Sequence, residues 1–143
     1  MEKIKEDYIA VNVGHYGAAN VGNYSAVNAG NYSAVNTGDW STASVGDNSI
    51  ANTGDYGEAN AGNNSVANAG DHGIVAVEEN SIAIASTCGE VKGGKGSILI
   101  LVNRDDNHNI IDYAVTIVDG VNILPDTWYK LDNGEFVLTD KTE

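Results

Sequence analysis

Between residues 11 and about 86 the apolar positions follow neither a 3.6-residue nor a simple alternating rhythm; they return every eight residues. Ala or Val stands at Val11, Ala19, Val27, Val35, Ala43, Ala51, Ala59, Ala67, Val75 and Ala83. Through the first eight of these the next residue is Asn, with Ser44 as the one exception. Two positions further on comes glycine, from Gly14 to Gly70 without a miss. Three after the glycine is always Ser or Gly. A period held over so many units is the signature of a repeat architecture.

The idealised octad reads Ser-x-Ala-Asn-Ala-Gly-Asp-Tyr. Ser and the two Ala positions lie two apart, so a short strand places them on one face. All three are small, and that face can approach an opposite wall closely. The Gly-Asp or Gly-Asn pair reads as a corner, with glycine supplying positive φ and Asx bonding its own backbone. Each octad is then one strand and one corner, and stacked coils bury a shared interior. The predicted fold is an all-β solenoid over 11–88, opened by an N-terminal start at 1–10. Two octads per coil give the more uniform columns. One edge then carries Tyr24, Trp40, Tyr56 and His72, with Asn23, Asp39, Asp55 and Asp71 beside them. The other carries Tyr16, Tyr32, Asn48, Asn64 and Asn80. Three octads per coil would mix aromatic and amide side chains in every column.

The motif fades after Gly70, with Glu78 and Ser86 in the glycine position. Residues 89–96 read as a loop. Strand-like runs follow at 97–103, 110–118 and 135–139, and Asp132-Asn133-Gly134 signals a hairpin. Residues 97–143 are therefore expected to form a small antiparallel β cap. It holds most of the large apolar side chains, such as Ile98, Leu99, Ile111, Val115 and Ile117, and is expected to cover the solenoid end and carry a homodimer interface.

Charge changes the picture more than composition does. The chain of 143 residues has a formal net charge of −13. No Lys or Arg occurs between Lys5 and Lys92, while acids recur through that stretch. Phosphate binding needs cations, so neither nucleic acid nor an anionic membrane is an expected direct partner. The N-terminal residues show no apolar run of the kind that directs secretion, and the lone Cys88 has no disulfide partner. The expected address is the cytoplasm of a host cell, with Cys88 packing as a small residue at the end of the array.

The units Asn-Ala-Gly-Asn-Tyr-Ser-Ala and Asn-Thr-Gly-Asp-Trp-Ser resemble the Asn-x-Gly-x-x-Ser repeats of a group of small bacteriophage and Firmicutes proteins. So does the run from Asp126 to Phe136, Asp-Thr-Trp-Tyr-Lys-Leu-Asp-Asn-Gly-Glu-Phe. The resemblance implies a phage or mobile-element origin and no particular activity. A looser similarity links the repeats to the β-roll heads of trimeric autotransporter adhesins.

Catalytic chemistry finds little support. His15, His72 and His108 are far apart in the repeat, and a nucleophile needs a base and an orienting group close by. The aspartate column supplies one carboxylate per coil, short of the 6–8 oxygens calcium takes. Residues 93–97, Gly-Gly-Lys-Gly-Ser, lack the spacing of a phosphate loop. No enzyme, cofactor or metal is expected. The expected site is an interaction surface made of Asp39, Asp55, Asp71, Glu58, Tyr24, Trp40 and Tyr56. Its expected partner is the basic face of a host nucleic-acid-binding or defence protein, blocked in the manner of an anti-CRISPR inhibitor by nucleic-acid mimicry. A structural or adhesive phage component, such as a tail spike or decoration protein, is the alternative.

Overall fold

A computed structural model describes residues 7–139. The chain is a β-solenoid of about six turns, with no helix among these residues. Successive octads alternate between two facing sheets. Sheet A contains β1 (Ala10–Val13), β3 (Ala26–Ala29), β5 (Thr42–Ser44), β7 (Glu58–Ala61), β9 (Ile74–Val77) and β11 (Glu90–Lys92). Sheet B contains β2 (Ala18–Asn20), β4 (Ala34–Asn36), β6 (Ile50–Asn52), β8 (Val66–Asn68), β10 (Ile82–Ala85) and β12 (Ile98–Arg104). Neighbours within these series are parallel and sixteen residues out of step, for example Ala43 beside Ala59 and Ala51 beside Ala67. Each coil therefore holds two octads.

Strands this short are stable only when stacked. Their alternation puts one small residue after another into the interior: Val35, Ala43, Ala51, Ala59, Ala67 and Val75 are fully buried. The serines at the start of each octad are buried as well, and they satisfy backbone groups from one coil to the next. Ser49 N donates to Ser65 Oγ at 3.0 Å, Ser65 N to Ser81 Oγ at 3.0 Å, and Ser81 N to Ser97 Oγ at 3.0 Å. Ser65 Oγ in turn donates to Asn63 O at 2.9 Å. Where the chain turns without this help, the amide reaches the carbonyl three residues back, as Gly73 N does to Gly70 O. Ser65→Ala is therefore expected to cost only about 1 kcal/mol, the net worth of one internal hydrogen bond. Urea unfolding should show it as a lowered midpoint with an unchanged slope.

The solenoid runs further than the spelling of the octad foretells. Residues 89–96, expected as a loop, contain β11, which continues sheet A in parallel with β9. Residues 98–101 of β12, expected in the cap, continue sheet B in parallel with β10. Spacing outlasts the glycine motif here: Ser81 and Ser97, Val75 and Val91, and Ala83 and Leu99 all lie sixteen apart. The antiparallel part begins with β13 (Ile110–Ile117), which pairs with β12. In sheet A, β14 (Tyr129–Asp132) follows β11 and forms the expected hairpin with β15 (Glu135–Leu138). Asn133 and Gly134 both take positive φ in its two-residue turn, the conformation that tightly connected strands favour.

These last strands widen the interior, which larger side chains fill. Leu99, Leu101, Val118 and Tyr129 are buried, and Phe136 meets Tyr129 edge-on at 6.4 Å. Ile98, Ile111, Val115 and Ile117, placed in the cap by the sequence, are exposed, as are Ile110 and Leu124. Alternation along β12 and β13 sends every second residue to the outside, whatever its chemistry. In the link between β13 and β14, Asp119 Oδ1 accepts the amides of Val121, Asn122 and Ile123. These bonds, that of Val121 foremost, hold its carboxyl below the usual carboxylate range.

Candidate functional site

The corners carry the distinctive side chains, and their geometry differs from expectation. The residue with positive φ is not the repeat glycine. It is the residue two places later: Tyr8, Tyr16, Tyr24, Tyr32, Trp40, Asn48, Tyr56, Asn64, His72, Asn80 and Cys88, all with φ between 55° and 61°. The glycine serves a different need, which is close approach. A Cβ on Gly54 would lie 2.1 Å from Asp39 Oδ1, and one on Gly46 would lie 2.1 Å from Asn31 Oδ1. The Asx side chain is also not bonded to its own turn. Its Oδ1 accepts the amide of the equivalent residue one coil on. Asp39 N donates to Asn23 Oδ1 at 2.7 Å, Asp55 N to Asp39 Oδ1 at 2.8 Å and Asp71 N to Asp55 Oδ1 at 2.8 Å. The amide of the aromatic residue bonds forward too, from Trp40 N to Asp55 O at 2.9 Å. Each corner is thus tied to the next by main chain and side chain together.

Left-handed backbone costs a bulky residue about 1–2 kcal/mol. Along one edge, stacking offsets it. Tyr8, Tyr24, Trp40, Tyr56 and His72 form a continuous column with ring centroids 5.0, 6.5, 4.2 and 4.7 Å apart and planes within 6° of parallel. Stacked pairs contribute about 0.5–1.5 kcal/mol beyond their buried area. The expected aromatic column is therefore present, with Tyr8 as a member not anticipated from the sequence. Its rings spend their faces on one another. What they offer outward is their edges and the tyrosine hydroxyls, with about half of Tyr24, Trp40 and Tyr56 exposed. The opposite edge begins the same way, with Tyr16 on Tyr32 at 5.1 Å, and then changes to Asn48, Asn64 and Asn80, which tolerate positive φ unaided.

Of the seven residues expected in the site, six lie on this one edge: Tyr24, Trp40 and Tyr56 in the ring column and Asp39, Asp55 and Asp71 in the adjoining Asx column. Glu58 stands apart from them. It lies on the outer face of sheet A, beside Thr42 and Ile74, and accepts a bond from Asn60 Nδ2 at 3.1 Å. Arg104 and His108, outside the repeat body, come to the acidic column at its C-terminal end. A surface recess of about 370 Å³ there is lined by residues that include Asp55, Asp71, Ser86, Arg104 and His108. The turn after β12 brings them in, with Arg104 Nη1 donating to His108 O at 2.9 Å. Sequence spacing gave no sign of this meeting. Cys88, expected to pack as a small hydrophobe, instead occupies the next corner of the aromatic edge and is exposed.

The three histidines have separate roles: His15 Nδ1 accepts Asn31 N at 2.8 Å, His72 ends the ring column, and His108 sits in the β12–β13 turn. Among the described residues no group of three or more His, Cys, Asp or Glu side chains converges as a metal site would require. No helix among these described residues is long and apolar enough to cross a membrane. Fold and site together define a two-octad β-solenoid whose one edge combines a ring stack with a column of carboxylates. No family model, curated protein or solved structure matches the chain.

Proposed function

We propose that this protein is a non-enzymatic binding protein that presses its acidic, aromatic edge against a basic surface of another protein. The supporting observation is the side-by-side run of Asp39, Asp55 and Asp71 with the stacked rings of Tyr24, Trp40 and Tyr56, in a stretch free of Lys and Arg from residue 6 to residue 91. Carboxylates at the roughly 4.8 Å spacing of neighbouring strands set up a field of one sign along a narrow rod. Such a field attracts a cationic cleft and steers its approach. Tyr and Trp then supply the contacts that dominate protein interfaces. A cleft built for nucleic acid has the right charge and width, so a host nucleic-acid-binding or defence complex is the proposed target and competitive inhibition by mimicry the proposed effect. The proposed setting is the cytoplasm of a host cell invaded by a phage or mobile element.

The test is capture of partners from bacterial lysate by tagged protein, at low salt and at roughly 0.5 M salt, where screening shortens the range of charge interactions to a few ångströms. A nucleic-acid-binding complex should be recovered at low salt and lost at high salt. Changing Asp39, Asp55 and Asp71 together to Lys should abolish that recovery. The variant must keep the wild-type circular dichroism, because these aspartates also serve the corner ladder. Recovery unchanged by the triple substitution would sink the proposal. A second reading, a structural part of a larger phage assembly, is favoured by the exposed isoleucines of sheet B; recovery of virion proteins alone would support it.

A further inference from the structure

The outer faces of the two sheets diverge toward the C-terminal end. In sheet B the outward row that begins Asn20, Asn36, Asn52, Asn68 is an amide ladder, with Asn52 Nδ2 donating to Asn36 Oδ1 at 2.8 Å and Asn68 Nδ2 to Asn52 Oδ1 at 2.7 Å. It then turns apolar: Ile84, Ile100 and Val115 continue it across β10, β12 and β13. The neighbouring row holds Ile82, Ile98 and Ile117 and reaches back to the exposed Ile50. Sheet A shares this change for one strand only, with Ile74 and Ala76 facing outward in β9. At the equivalent positions of its last parallel strand it carries Glu90 and Lys92. Decay of a terminal repeat would affect both sheets alike, so an apolar run that persists to the end of sheet B alone calls for a separate cause.

We infer that this apolar face of sheet B is the contact by which two copies of the chain associate, face to face about a two-fold axis. Ile98 is 37% exposed, Val115 58%, Ile117 53% and Tyr113 66%. Such a patch is on the order of 600 Å², at the upper end of what a monomer leaves in water. It approaches the ~800 Å² per partner of a standard interface. A second copy fits it for three reasons. Apart from Tyr113 the face is made of β-branched side chains, which suit a pleated, half-buried surface. None of Ile82, Ile84, Ile98, Ile100, Val115 and Ile117 is charged, so a chain with a net charge of −13 can approach its own copy there; the one carboxylate within the strands of sheet B, Asp112 of β13, accepts the amide of Gly134 in the β14–β15 turn. A two-fold contact also needs only one patch that is complementary to itself. Pairing through the free edge of β13 would leave these side chains in water, since they stand perpendicular to the sheet. A dimer of this kind leaves both acidic edges open.

Light scattering coupled to size exclusion at tens of micromolar protein should give twice the chain mass of 14.9 kDa. Val115→Lys and Ile117→Lys, made together on the exposed side of β13, should halve that mass without altering the β-type circular dichroism or the melting of the monomer. Added salt should leave the wild-type dimer intact, unlike capture through the acidic edge. A wild-type monomer at every concentration would overturn the inference. So would a dimer that survives the double substitution, because another face would then hold it. A monomer that the substitution deprives of a captured host protein would likewise overturn it and assign the face to that partner.

Discussion

Leu99→Ala should lower the stability of the chain by about 2–5 kcal/mol, the usual range for truncating a buried leucine. Leu99 is fully buried. It stands in β12 beside Ala83 of the last narrow coil and Thr116 of the antiparallel β13. On its other side it is close enough to Gly93 that a Cβ there would lie 3.2 Å from Leu99 Cδ2. It thus fills the step between an interior lined by Ala and Val and one lined by Leu, Tyr and Phe. The rigid sheets on either side cannot close over the space it would vacate. Thermal unfolding followed by circular dichroism should show the loss as one lowered transition. Appearance of a second, earlier transition would mean that the cap unfolds by itself. An unchanged melting temperature would contradict the placement of Leu99 at this junction.

The reverse exchange, Ala51→Leu, should also destabilise, by about 1–3 kcal/mol. Ala51 is fully buried in β6 between Val35 and Ala67. The walls here are strands bonded to both neighbours, so a larger side chain can be housed only by prising the sheets apart. Stacked coils touch only adjacent coils, and the damage should stay local. Hydrogen exchange should accelerate in the coils around residue 51 and much less near residue 99. Protection retained around residue 51, together with unchanged melting, would refute the inward orientation of Ala51. The two substitutions swap the same pair of residues in opposite directions, and both harm, because each end of the interior has its own width.

That contrast marks what could be read from sequence. The octad, the two-octad coil and the membership of both corner columns, apart from Tyr8 and Cys88 at the two ends of the aromatic edge, followed from spacing, since stacking converts a sixteen-residue interval into contact. Ala51 could be placed inside and Trp40 at a corner on that basis alone. The role of Gly54 could not, because it depends on the distance to Asp39 in another coil. Positive φ at Trp40 was hidden for the same reason: only inter-coil bonds and ring stacking make so bulky a residue acceptable there. Glu58 was grouped with the aspartates by charge, although its octad position assigns it to a strand face. Arg104 and His108 reach the acidic column through an irregular turn, where spacing carries no information. Ile98, Leu99 and Ile117 were grouped in the cap by their hydrophobicity, whereas strand alternation turns Leu99 inward and the two isoleucines outward.

The coil of two interchangeable halves has a consequence for inheritance. Gain or loss of coding sequence for one whole coil leaves every later residue on its original sheet and edge, so rod length can drift without loss of register. Gain or loss of a single octad still permits stacking, but it turns everything downstream by half a revolution. The ring column would then continue onto asparagines, and the apolar face would move to the side opposite the upstream amide ladder. Descendants of this gene that keep a working edge should therefore differ in length by even numbers of octads.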